Sequence, residues 1–123
     1  MRELFTWINI RFILQGLGTT IFISVLCILC SMALGMVIAM GRSSRTKLLR
    51  GVAGIYIEVF KNTPLLLWIM LIFFVVKLPP MGASVLSFSL FTSASLAEII
   101  RGGILAIDKG QWEAGYSQGF GTL

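Results

Sequence analysis

The sequence predicts an all-α membrane protein: three transmembrane helices followed by the start of a short amphipathic helix outside the bilayer. Three observations carry this. Of 123 residues, 57% are hydrophobic and 12% charged, against about 45–50% and about 25% in soluble domains. The apolar residues gather into three runs, each close to the ~20 residues that cross ~30 Å of hydrocarbon. The basic residues collect between runs, with Arg42, Arg45, Lys47 and Arg50 inside one nine-residue stretch. A net charge of +5 laid out in this way belongs to a cytoplasmic membrane loop. It is not the solvated basic face of a nucleic-acid binder, so no nucleic acid is expected and membrane lipid is.

The first span covers about residues 14–40, and no charged residue lies between Arg11 and Arg42. It is too long for a secretory signal core of ~7–15 residues, and a basic cluster follows it. Cys27, Ser31, Gly35 and Ala39 recur every four residues. Small side chains at that interval make a narrow face that another helix backbone can approach closely. Cys27 and Cys30 are the only cysteines and the chain has no histidine, whereas a structural zinc site takes about four ligands. They read as small apolar helix residues, and neither metal nor cofactor is expected.

The second span covers about residues 52–76. Glu58, Lys61, Asn62, Thr63 and Pro64 fall near its start, ahead of an unbroken apolar stretch from Leu65 to Val76. Pro64 has no N–H to give the carbonyl of Phe60, so a helix through this point must kink or loosen. Charges inside a span face the bundle interior or reach for the interface. Glu58 and Lys61, three apart, can pair on one helix face; alternatively Lys61 snorkels to the nearer surface.

Lys77, Pro79, Pro80 and Gly82 then form a loop. The third span, about residues 85–107, carries Ser87, Ser89, Thr92, Ser93 and Ser95, then Glu98, Arg101 and Gly102-Gly103. Hydroxyls in a span bond to their own helix backbone or across to a neighbour. Glu98 and Arg101 are placed to pair near the end of the span. From about residue 108 to 123, Asp108 reads as a helix cap with Gln111 in the reciprocal position. Trp112, Tyr116, Phe120 and Leu123 make an apolar stripe at helical spacing. Gly115, Gly119 and Gly121 weaken this helix, which therefore calls for a partner.

Three spans put the loop at 41–51 and the tail on one side of the membrane. Placed inside, that side holds Arg42, Arg45, Lys47, Arg50, Arg101 and Lys109, and leaves Arg2, Arg11 and Lys77 outside. The excess predicts an external N-terminus and a cytoplasmic tail.

Three segments in this order resemble one family. Tyr56-Ile57-Glu58-Val59-Phe60-Lys61-Asn62-Thr63-Pro64-Leu65-Leu66 is similar to the stretch in which permeases for polar amino acids carry a Phe-Arg-Gly-Thr-Pro-Leu-like motif. Leu96-Ala97-Glu98-Ile99-Ile100-Arg101-Gly102-Gly103-Ile104 follows. Lys109-Gly110-Gln111-Trp112-Glu113-Ala114-Gly115, with Gly119 further on, looks like the Glu-Ala-Ala…Gly loop by which importer permeases dock on their ATPase. The chain departs from that pattern at Gly115, where alanine is usual, and at Asp108, where proline is common.

The resemblance implies the membrane-spanning permease subunit of a polar amino acid ATP-binding-cassette (ABC) importer of type I fold. That fold has five spans, so residues 1–123 are expected to form one incomplete transmembrane domain, truncated in or just after the coupling loop. The implied function is amino acid transport across a bacterial cell membrane, with no enzymatic activity in the permease. ATP hydrolysis falls to a separate ABC ATPase subunit, and nothing in the chain resembles a phosphate-binding glycine loop. The other implied partners are an extracytoplasmic amino-acid-binding protein and a second permease subunit, as a homo- or heterodimer. Gly110, Gln111, Glu113, Ala114 and Gly119 would form the ATPase-coupling segment, Glu113 through polar contacts and Gly119 through a close backbone approach. Glu58, Lys61, Thr63 and Pro64 would form the intramembrane polar kink, and Ser93, Ser95, Glu98 and Arg101 would line the pathway. Two other readings stand beside these. The tail is alternatively an interfacial helix lying on lipid, although no lysine follows Gln111 to attract anionic headgroups. The chain is alternatively a small accessory or regulatory membrane protein, or a permease fragment without transport activity.

Overall fold

A computed structural model describes residues 7–121, with side chains from Asn9 onward; Arg2 of the charge count and Leu123 of the tail stripe lie outside the described residues. The elements are α1 (Trp7–Ser43), α2 (Lys47–Asn62), α3 (Leu65–Phe74), α4 (Pro80–Leu105) and α5 (Lys109–Ser117). The described residues contain no strand. α1 and α4 are each long and apolar enough to cross a membrane.

α1 is continuous because nothing in it interrupts the backbone ladder: no proline occurs between Trp7 and Ser43. It ends on its own basic cluster. Arg50 donates from Nε and Nη2 to the Ser44 carbonyl at 3.2 and 3.0 Å, and Arg42 Nη1 donates to the Arg50 carbonyl at 3.4 Å. The Arg50 guanidinium satisfies a carbonyl just past the C-terminus of α1 and complements that helix's dipole, while Arg42 reaches across to a carbonyl in the first turn of α2. Two of the four clustered basic residues thus fold the loop, beyond setting its charge.

The second apolar run is two helices, not one continuous span. α2 and α3 meet at 99°. Thr63 is extended (φ −109°, ψ 130°) and so is Pro64 (φ −58°, ψ 137°). Proline pushes the residue before it out of the helical region and removes a donor from the ladder. With 16 and 10 residues, the two halves measure about 24 and 15 Å, each shorter than ~30 Å of hydrocarbon. Across this elbow Phe60 stacks on Trp68, ring centroids 4.3 Å apart and planes 21° from parallel, and Tyr56 packs on Phe60 at 4.6 Å.

The turn into α4 passes through Lys77, whose φ of 58° is left-handed. Pro80 then occupies the first turn of α4, where its missing N–H costs nothing. α4 buries Ala83, Ser87, Ser89, Ser93, Ala94 and Ala97. Its main partner is the small-residue face of α1. Ser31, Gly35 and Ala39 of that face are buried and Cys27 is half-buried.

The register is regular. Cys27 faces Val85, 58 residues on; Gly35 lies against Ser93, Leu96 and Ala97; Ala39 packs with Ala97 and with Ile57 of α2. Contacts that advance together along both chains mean that α1 and α4 run parallel. The stripe on α1 is therefore met by a second one on α4, Val85, Ser89, Ser93 and Ala97, at the same four-residue interval. Side chains this small let two backbones approach closely enough for dispersion to hold them in lipid.

Candidate functional site

Polar groups inside the bundle gather along the line where α2 crosses α4. The Tyr56 hydroxyl lies 2.9 Å from the Leu90 carbonyl and 2.9 Å from Ser93 Oγ, and Ser93 Oγ lies 2.8 Å from the same carbonyl. Two hydroxyl protons serve three oxygens, so both are satisfied away from water, as a buried polar group requires. Ser93 is thus enclosed between α2 and α4. Most other hydroxyls bond their own helix: Ser31 donates to the Ile28 carbonyl at 3.0 Å, Ser84 to Pro80 at 2.8 Å and Ser87 to Ala83 at 2.6 Å. Ser89 Oγ is buried beside the Cys27 thiol of α1.

One turn beyond Tyr56, Lys61 forms an ion pair with Glu98 of α4. This corrects both local pairings expected from spacing, Glu58 with Lys61 and Glu98 with Arg101. Glu58 faces outward and Arg101 is half-buried, and among the described residues neither enters an ion pair. α2 turns Lys61 toward α4 because its buried face is Ala53, Gly54, Ile57 and Phe60, and residue 61 borders that face while residue 58 lies off it. The Lys61 and Glu98 side chains are 44% and 41% exposed. Ion pairs at that exposure contribute up to about 1 kcal/mol, too little to hold a bundle together but enough to bias a geometry. Thr63 lies at the elbow and helps line an open apolar groove along α3 with Leu67, Trp68 and Leu71. Ser95 is half-buried.

The tail folds as expected in outline but not in its cap. Asp108 sits at the N-cap of α5 and its carbonyl accepts from Gln111 N at 3.0 Å. Its side chain makes no capping bond, so the reciprocal capping box is not formed. At the other end Gly119 (φ 86°) lets Gly119 N reach the Tyr116 carbonyl at 3.0 Å and Phe120 N the Gly115 carbonyl at 3.1 Å. This is the paired-bond helix stop that needs a left-handed residue, which gives Gly119 a role within the chain itself. No residue of α5 is buried. Trp112, Tyr116 and Phe120 are 48%, 50% and 70% exposed, and Gly110, Gln111, Glu113 and Ala114 are exposed as well.

Two features escaped the reading by spacing. One is the stripe on α4, whose Ser89 and Ser93 fall among the five hydroxyl residues from Ser87 to Ser95 and are not set apart from them by type. The other is Tyr56, whose hydroxyl inside an apolar helix demands a partner.

Residues 31–123 match the family model of the binding-protein-dependent transport system inner membrane component. The chain is 38% identical over 109 residues to the L-cystine transport system permease protein TcyB of Bacillus subtilis (strain 168), covering 85% of this chain and 47% of that protein. It is 37% identical over 112 residues to the putative glutamine transport system permease protein GlnP of Rickettsia felis, covering 86% of this chain and 51% of the relative. A crystal structure of an amino acid ABC transporter with histidines superposes with a TM-score of 0.80 at 36% identity, over 88% of this chain and 53% of the other. The chain spans about half the length of the curated relatives it matches.

Proposed function

This chain belongs to the family of inner membrane components of binding-protein-dependent transport systems, and from that premise we propose that it serves as permease in an ABC importer for polar amino acids. The relatives carry names for cystine, glutamine and arginine transport, which supports the substrate class. The observation that carries the coupling role is α5 and the turn after it: nine helical residues whose aromatic stripe, continued by Phe120, is about half exposed or more, within the segment that matches the family. Such a stripe gains further burial from a partner surface, and with no lysine after Gln111 to attract anionic lipid a protein groove suits it better than a membrane. A separate ABC ATPase is the partner proposed for it, with Gly110, Gln111, Glu113 and Ala114 on the exposed surface of the same helix. An extracytoplasmic binding protein and a second permease subunit complete the proposed assembly. ATP is hydrolysed by the partner, and this chain moves with it.

Three crossings of a bacterial cell membrane are part of the proposal. What supports them is the parallel run of α1 and α4: a chain that descends in both must ascend between them, and only α2 and α3 lie between. The bent pair then acts as one broken span, whose non-helical elbow is tolerated where protein surrounds it. The passage is proposed along the side of α4 that carries Ser95, Glu98 and Arg101 at three-residue intervals, all half-buried. Ser93, enclosed by Tyr56, would support this face from behind.

The test is Glu113→Lys in the permease as the cell makes it. Crosslinking of α5 to the ATPase and uptake of labelled amino acid are expected to fall together, by at least about tenfold, for a like-charge or unpaired-charge defect at an interface. Insertion into the membrane should be unchanged. Unaltered crosslinking and uptake would remove α5 from the coupling role.

A further inference from the structure

The elbow between α2 and α3 has no backbone ladder through it. Pro64 brings no donor, and the first hydrogen bond of α3, Leu67 N to the Pro64 carbonyl at 3.0 Å, lies wholly beyond the break. Its geometry is therefore held by side chains. The Phe60–Trp68 stack holds the two arms of the elbow to each other. Lys61, in the last turn of α2, ties the elbow to α4 through Glu98, in the one ion pair among the described residues.

Glu98 stands at a boundary on α4. The fully buried part of α4 ends at Ala97. Beyond it Ile100 leans on the core and Arg101 is half-buried, but Ile99 and every residue from Gly102 to Leu105 are exposed, and three residues separate Leu105 from Lys109. The last turn of α4 and all of α5 thus form a short arm outside the packed bundle, with Glu98 one turn above its root. Among the described residues, a force applied to α5 meets no other polar side-chain bond to α2 before it reaches Glu98.

We propose that the Lys61–Glu98 pair is the link through which displacement of the α4–α5 arm is passed to the α2–α3 elbow, setting the angle of the broken span. The inference rests on the reading of α5 as the ATPase-docking helix. An ion pair suits this link better than packing does. Long flexible side chains stay attracted over a sliding movement, whereas close-packed surfaces are bistable and resist small shifts. Both groups are about two-fifths exposed, so the pair breaks and re-forms without stranding a buried charge. Lys61 and Glu98 act here as positioning residues, and they need not touch the transported molecule to do so.

The experiment uses the permease as the cell makes it, reconstituted in vesicles with its ATPase and binding protein, in a Cys27→Ser, Cys30→Ser background. Ser117→Cys reports docking of α5 by crosslinking to the ATPase. Lys61→Gln, Glu98→Gln and the exchange Lys61→Glu/Glu98→Lys are compared by amino acid moved per ATP hydrolysed. Each single variant is expected to retain the crosslink and lose at least about fivefold in that ratio, the lower end of coupling between sites. The exchange should restore the ratio to within about twofold, because attraction is recovered with the charges reversed. A merely structural pair would lower transport and hydrolysis in proportion and leave the ratio unmoved, which overturns the proposal. So does an exchange variant that inserts and docks but stays uncoupled; if the single variants fail to insert, the exchange alone decides. Absence of the crosslink in the unsubstituted pair of subunits would instead overturn the docking reading, and this inference with it.

Discussion

Gly35 shows how little room the seam between α1 and α4 leaves. A Cβ at this position would stand 2.9 Å from the Leu96 Cβ and 3.2 Å from the Ser93 carbonyl oxygen, and neither is the loose end of a flexible side chain. Gly35→Ala is expected to lower stability by about 1–3 kcal/mol, the usual cost of overpacking, read as an earlier thermal unfolding midpoint in detergent. Gly16, in the same helix, meets nothing within 4 Å, so Gly16→Ala should leave the midpoint unchanged or raise it by up to ~1 kcal/mol through helix propensity. Equal effects at both positions would mean that the seam is not the close approach described here. The role of Gly35 was legible in the sequence, since it falls in step with Cys27, Ser31 and Ala39. The pairing of Lys61 was not. Neighbours along one helix are set by spacing, but the carboxylate that takes Lys61 sits 37 residues on, and only packing decides that it is nearer than Glu58.

Among the elements, the elbow and the tail differ in how they follow from local chemistry. The break at Thr63-Pro64 is a covalent consequence of proline, readable without any tertiary knowledge, although its angle of 99° depends on how Trp68 meets Phe60. The start of α5 at Lys109 was also readable from Asp108, but not that its side chain makes no capping bond, because one acceptor side chain has several rotamers and solvent competes for it. α5 is held by nine residues, two of them glycines, and by the turn at Gly119. Helices shorter than ~12–15 residues are marginal in water. A synthetic peptide of residues 107–121 should accordingly show little helical far-ultraviolet dichroism in buffer. A mostly helical peptide in plain buffer would contradict the view that α5 depends on a partner for its order.

At the scale of the whole molecule, the parallel pair α1 and α4 places the Arg42–Arg50 loop and α5 at one end and the turn before α4 at the other. In a Cys27→Ser, Cys30→Ser background, an impermeant thiol reagent added outside the cell should label Ser84→Cys and spare Ser44→Cys; the opposite pattern would invert the membrane orientation. The three-run pattern made the helices legible, but not that the first and last run side by side, since hydropathy carries no information about neighbours. That adjacency also has a consequence in time. Residues that meet across the seam are 58 positions apart, so at about 5–20 residues per second of synthesis the first helix waits roughly 3–12 s in the lipid before its counterpart has been made. Ser31 spends that interval bonded to its own Ile28 carbonyl, so of the waiting stripe only the weakly donating Cys27 thiol takes its partner, the Val85 carbonyl, from α4. A nascent helix can thus linger alone at little penalty and still be specific for the one surface that later arrives to cover it.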